Sequence, residues 1–78
     1  MRKRINSFAD ARNPFAQRLE VALKHDKITQ VEFAKKINVS TVTVSRYITG
    51  REKPSLDNLM KIQRVLDVSL DWLCGLVD

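Results

Sequence analysis

The sequence predicts an all-α fold, a compact domain of five short helices. Apolar residues recur with the period of a helix: Phe15, Leu19, Ala22 and Leu23 stand at i, i+4, i+7 and i+8. Residues that favour helix N-caps precede the apolar stretches, at Asn13, Thr29, Ser40, Ser55 and Ser69. Two glycines, two prolines and few β-branched runs leave little from which to build a sheet.

Residues 1–12 read as a basic N-terminal arm or extension, with Arg2, Lys3, Arg4 and Arg12 and only Ile5 and Phe8 as large apolar residues. Residues 13–78 read as the folded domain. Asn13 caps the first helix and Pro14 takes its first position, where the missing N–H costs nothing. Lys24, His25 and Lys27 lie near the end of this helix, where cations suit the dipole. Thr29-Gln30-Val31-Glu32 has the pattern of a capping box and opens the second helix, which buries Phe33, Ala34 and Ile37. Asn38 is the expected stop, because asparagine tolerates a left-handed backbone. Val39 turns inward and Ser40 caps the third helix, leaving a connection of about four residues, the length found in a helix-turn-helix. The third helix is expected over Thr41 to Thr49, stopping at Gly50. A basic loop, Arg51-Glu52-Lys53-Pro54, leads to Ser55, the cap of a fourth helix with Leu59, Ile62, Val65 and Leu66 inside. Asp67-Val68 turn the chain, and Ser69 caps a last short helix bearing Trp72, Leu73 and Leu76.

Seventy-eight residues suffice for one domain with a modest core, and 44% hydrophobic with 29% charged residues is a globular composition. The formal net charge of +5 is unevenly spread: +3 over residues 1–12, +2 over 13–37, +2 over 38–53 and −2 over 54–78. A polyanion is attracted to the first two-thirds and repelled by the last third. Cys74 is the only cysteine, so no internal disulfide forms and a reducing compartment fits; the cytoplasm is the expected location. Ile5 to Asn13 is too polar for the apolar core of a signal peptide, and no apolar run approaches the roughly 20 residues of a membrane span.

The third helix carries the strongest functional signal. On a helical wheel Thr43, Val44, Tyr47 and Ile48 share one side and must face the core, whereas Thr41, Val42, Ser45, Arg46 and Thr49 share the other. A merely solvated face is usually made of Glu and Lys, which are better helix formers than Thr and Ser. Short hydroxyl side chains instead let the backbone approach another surface closely. Arg46 offers a fork that fits guanine O6 and N7, and Val42 offers an apolar contact for a thymine methyl.

With these pieces in place, Thr29 to Leu73 resembles the Cro/CI-type (XRE-like) helix-turn-helix family of phage and bacterial regulators, the lambda-repressor-like DNA-binding domains. The matching stretches are Thr29-Gln30-Val31-Glu32-Phe33-Ala34, Val39-Ser40, Thr43-Val44-Ser45-Arg46, Gly50-Arg51, Lys53-Pro54-Ser55 and Leu66 to Leu73. The likeness extends from about Phe15 to Leu76. It implies base contacts from Thr41, Val42, Ser45 and Arg46. It implies phosphate contacts from Gln30, Arg51 and Lys53, with Ser40 and Thr49 at the two ends of the third helix counted in the same set. Phosphate contacts set position, and base contacts set sequence choice. Asn38 and Asp67 stand where the family often has glycine, and both tolerate the left-handed backbone that such a position demands. Thr41 and Val42 replace the longer amides of some members, so the operator sequence does not carry over from a relative.

The expected function is therefore that of a sequence-specific transcriptional regulator, a repressor of phage or bacterial type, bound as a homodimer to a palindromic operator in double-stranded DNA. Leu70, Cys74, Leu76 and Val77 are more apolar residues than a short last helix can bury against its own domain, and they are the expected dimer interface. The alternative is that they fold back onto the first helix and complete the monomer core. Arg2, Lys3 and Arg4 are either a disordered basic tail or an arm that reaches phosphates or the minor groove. A protein-interaction module that kept the fold without DNA is the competing class; the basic charge before Pro54 and the short-chain face of the third helix argue against it. His25 has no partner at metal-ligand spacing, and Ser45, Asp71 and His25 make no triad. No catalytic residue, metal, cofactor, small-molecule ligand or membrane is expected. The chain is either complete or the DNA-binding half of a longer repressor.

Overall fold

The computed structural model of the chain describes residues 12–78, and these form five helices: α1 (Pro14–Asp26), α2 (Gln30–Ile37), α3 (Thr41–Ile48), α4 (Leu56–Leu66) and α5 (Leu70–Leu73). No strand occurs among the described residues. The candidate arm cations Arg2, Lys3 and Arg4 lie outside them.

Each helix begins where a short polar side chain satisfies an amide that the helix itself leaves open. The Asn13 carboxamide oxygen accepts from the Ala16 amide at 2.9 Å, and the hydroxyls of Ser40, Ser55 and Ser69 accept from the amides of Thr43, Asn58 and Trp72 at 3.0–3.1 Å. At α2 the box is complete: Thr29 Oγ1 accepts from the Glu32 amide at 3.1 Å, and Glu32 Oε1 accepts from the Thr29 amide at 2.9 Å. The Thr29 backbone and side-chain hydrogen bonds, with Lys36 and Lys35 nearby, hold the Glu32 carboxyl below its ordinary pKa. Replacing a cap of this kind by alanine typically costs about 1 kcal/mol.

The helix ends show what a short connection requires. Asn38 and Asp67 have positive φ, 59° and 53°, as the sequence implied, and Lys27 at the end of α1 does too, at 58°. At α1 and α2 the next residue closes the turn: the Ile28 amide donates to Leu23 O and the Val39 amide to Ala34 O, each at 3.0 Å. Lysine is a poor residue for this conformation, and composition gave no hint of it. The cause is spacing, because only Lys27 and Ile28 separate the end of α1 from the Thr29 cap.

The core is one cluster: Phe15, Leu19, Ala22 and Leu23 of α1, Phe33, Ala34 and Ile37 of α2, Val44, Tyr47 and Ile48 of α3, Ile62 and Leu66 of α4, and Leu73 of α5. Burying a large apolar side chain such as Leu19 or Ile62 is worth about 1.5–3 kcal/mol relative to exposing it. α1 packs on α3, α4 and α5, and α2 packs on α3 and α4. Leu59 and Val65 pack against this cluster while remaining partly exposed, as does Trp72. One face of Trp72 carries the Arg18 guanidinium, 5.1 Å from the ring centroid.

Candidate nucleic-acid interface

α2 and α3 are joined by residues 38–40, one fewer than the connection estimated from sequence. Asn38 reverses the chain with its left-handed backbone, Val39 packs on the core and Ser40 caps α3. The joint is therefore determined by three consecutive residues, each fixed in a different way.

α3 divides as its periodicity demands. Val44, Tyr47 and Ile48 are buried and Thr43 is half-buried, while Thr41, Val42, Ser45, Arg46 and Thr49 are exposed, Val42 by 59%. The buried side is anchored to two other helices. Tyr47 meets Phe15 of α1 edge-on, with ring centroids 6.1 Å apart and planes at 75°, and its hydroxyl accepts from Asn58 Nδ2 of α4 at 3.1 Å. The C-terminal end is held by Arg12, whose Nη1 donates to Ile48 O at 2.9 Å and pairs with Glu20 Oε1 at 2.8 Å. The sequence places Arg12 at the end of the basic arm; in the fold it satisfies a carbonyl that the end of α3 leaves open. The recoverable signal was its place immediately before the Asn13 cap.

The candidate phosphate residues surround this face. Gln30 is exposed at the first position of α2 and lines, with Ile48 at the end of α3, a recess of about 210 Å³. Ser40 is exposed, with its hydroxyl 2.8 Å from Thr43 Oγ1. Thr49 Oγ1 donates to Arg46 O at 3.3 Å, and Arg51 and Lys53 project from the following loop, both exposed. Glu52 of the same loop stands 3.9 Å from Arg46, Oε1 to Nη1. The signal for it was available, since the sequence places one acid between two bases right after α3.

The candidate dimer residues lie at the other end of the chain. Leu70, Leu76 and Val77 are exposed by 37%, 74% and 48%, and Cys74 is half-buried and lines a recess with Pro14, Phe15, Leu59 and the candidate phosphate residue Lys53. The backbone of this segment does lie back on α1: Arg18 Nη1 donates to Trp72 O at 2.7 Å and to Val77 O. Gly75, with φ +80°, fits so tightly that a Cβ there would come within 2.4 Å of the Pro14 Cβ. The fold-back thus fixes the backbone while leaving the Leu76 and Val77 side chains outside. Among the described residues no helix is long and apolar enough to cross a membrane, and no cluster of three or more His, Cys, Asp or Glu could hold a metal ion. His25 is exposed at the end of α1, its Nδ1 3.1 Å from Asp26 Oδ1.

Comparison with known proteins agrees with this architecture. The family described as "Helix-turn-helix" matches residues 19–73. The chain is 36% identical over 64 residues to the HTH-type transcriptional regulator YobD of Bacillus subtilis, covering 82% of this chain and 57% of that protein. It is 38% identical over 47 residues to the cryptic phage CTXphi transcriptional repressor RstR of Vibrio cholerae, covering 60% of this chain and 42% of that one. The crystal structure of a transcriptional regulator from Listeria innocua superposes with a TM-score of 0.78 at 30% identity, over 86% of this chain and 63% of that one. The chain belongs to the XRE-like helix-turn-helix family, a family of transcriptional regulators and not of enzymes. It spans about half the length of the curated relatives it matches.

Proposed function

We propose that residues 13–78 are the DNA-binding domain of a transcriptional repressor of phage or bacterial type, which inserts α3 into the major groove of an operator as a homodimer. A DNA target places its work in the cytoplasm. The observation that carries this reading is the outer face of α3: five exposed residues, four of them short or hydroxyl-bearing and the fifth Arg46, on a helix whose other face is locked to α1 and α4. A rigid helix with a low outer profile can bring its backbone near base edges, which a flexible or lysine-covered helix does poorly. Thr41, Val42, Ser45 and Arg46 are the base readers in this proposal. Gln30, Ser40, Thr49, Arg51 and Lys53 take phosphates, and Arg2, Lys3 and Arg4 supply further contacts as an arm.

The homodimer follows from the size of the reading face. One short helix covers too few base pairs to mark a site in a genome, and two copies related by a two-fold axis read a palindrome with half-sites about 34 Å apart. The exposed Leu70, Leu76 and Val77, with Cys74 beside them, are the proposed contact between copies, in the acidic third of the chain that phosphate repels.

The test is a titration of the 78-residue protein against random-sequence duplexes at low and moderate salt. Several phosphate contacts per subunit predict a log–log salt slope of several units, and each Lys or Arg removed from the set lowers it by about one. Affinity that barely changes with salt contradicts the phosphate assignment, and no binding at low salt contradicts the function.

A further inference from the structure

Glu52 is an acid placed among the candidate cations of a surface proposed to meet a polyanion. Arg51 and Lys53 flank it in the chain, and its Oε1 lies 3.9 Å from Arg46 Nη1. The backbone puts it there. Gly50 reverses the chain with φ +78°, and the Arg46 carbonyl then accepts from the amides of Arg51 at 2.9 Å and Glu52 at 3.2 Å. Glu52 therefore hangs from the residue whose side chain it faces, and its position does not depend on the ion pair. Stability does not account for it, because the two side chains are 59% and 42% exposed and a pair so exposed contributes little. Affinity does not account for it either, since a carboxylate at this surface repels phosphate.

We propose that Glu52 is a specificity-determining positioning residue, which turns Arg46 away from phosphates and toward a base edge. The inference rests on reading α3 as the DNA-reading helix. An arginine at a DNA surface has two competing acceptors: an anionic phosphate, present at every step and carrying no sequence information, and the neutral O6/N7 edge of guanine. A carboxylate a few ångström from the guanidinium offsets part of its charge and repels a phosphate that approaches the same side. The neutral guanine edge is not repelled. With five N–H donors in a planar fork, Arg46 can keep one side toward Glu52 and present the other to the base. Glu52 thus weakens binding to DNA in general and weakens binding to the preferred site least.

The test uses the whole chain with Glu52→Gln, which keeps size and exposure and removes only the charge. Affinity is measured at one salt concentration for the best site recovered from a random pool. The same measurement is made for that site with each base pair changed in turn, and for random duplex. Circular dichroism melting confirms that the fold is kept, and Glu52→Ala provides a second variant. The expected result is tighter binding to random duplex and about a tenfold loss of discrimination, confined to the base pair that Arg46 reads. In an Arg46→Ala background, Glu52→Gln should leave the discrimination that remains untouched. Uniform tightening of all duplexes, with every base preference unchanged, overturns the proposal, because Glu52 would then act only through net charge. The same loss of discrimination in the Arg46→Ala background overturns it as well. A wild-type protein that shows no base preference at all fails earlier, at the DNA-reading proposal, and is recognised as such before any variant is compared.

Discussion

Arg46 and Lys53 carry the same charge about two helical turns apart in sequence, yet their settings assign them different work. Arg46 projects from the outer face of a helix whose inner face is fixed by Tyr47, so its fork has a defined origin. Lys53 lies in the loop before Pro54, exposed, as a point charge on a flexible stem. Arg46→Ala is therefore expected to cost about 1–3 kcal/mol at the preferred site and to relax choice at one base pair. Lys53→Ala is expected to weaken all sequences by a similar factor and lower the salt slope by about one. Equilibrium binding to a set of single-base variants separates the two. An Arg46 variant that loses affinity evenly, with unchanged preference, would make Arg46 a phosphate ligand. At this scale the sequence was informative where a side chain's role depends on its own helix: the five exposed residues of α3 follow from a wheel. For Arg12 and Glu52 it gave a position worth noticing but not a partner, because Ile48 and Arg46 are brought to them by the folding of the chain.

Three of the helices end on a non-glycine residue in the left-handed region, and these ends offer a direct stability test. Asn38 and Asp67 pay little for that backbone, whereas Lys27 has no short polar side chain to ease it. Lys27→Gly is expected to stabilise the domain by about 1 kcal/mol, which for a domain of this size raises Tm by about 4–8 °C. Thermal melting followed by circular dichroism measures it, and an unchanged or lowered Tm would show that the Lys27 side chain contributes something the packing does not reveal. Element starts were legible because a cap is a local arrangement: Asn13, Thr29, Ser40, Ser55 and Ser69 each bond an amide three residues on. Element ends were less so. Asn38 and Asp67 announce a turn by residue type, but Lys27 is set by the shortness of the link to α2, a constraint visible only once both helices have bounds. The exposure of Trp72 had a similar cause, since α5 is a four-residue helix at the edge of the core and Arg18 covers the ring in place of another helix.

At the scale of the whole molecule, charge divides the chain into two segments. The basic residues 38–53 include α3 and its loop, and the acidic residues 54–78 carry the exposed apolar end. Leu76→Glu tests whether that end joins two copies. Its side chain is 74% exposed, so the variant is expected to stay folded. On the dimer reading it loses cooperative binding to an operator with two half-sites and keeps weak binding to one. Unchanged cooperativity would move the interface elsewhere. The central claim, that the outer face of α3 reads DNA sequence, is tested most directly by selecting bound duplexes from a random pool with the 78-residue protein at moderate salt. The account predicts enrichment of a short motif, repeated as a palindrome with centres about 34 Å apart. A recovered pool that binds but keeps the base composition of the input would contradict it, because the domain would then hold phosphates without reading bases.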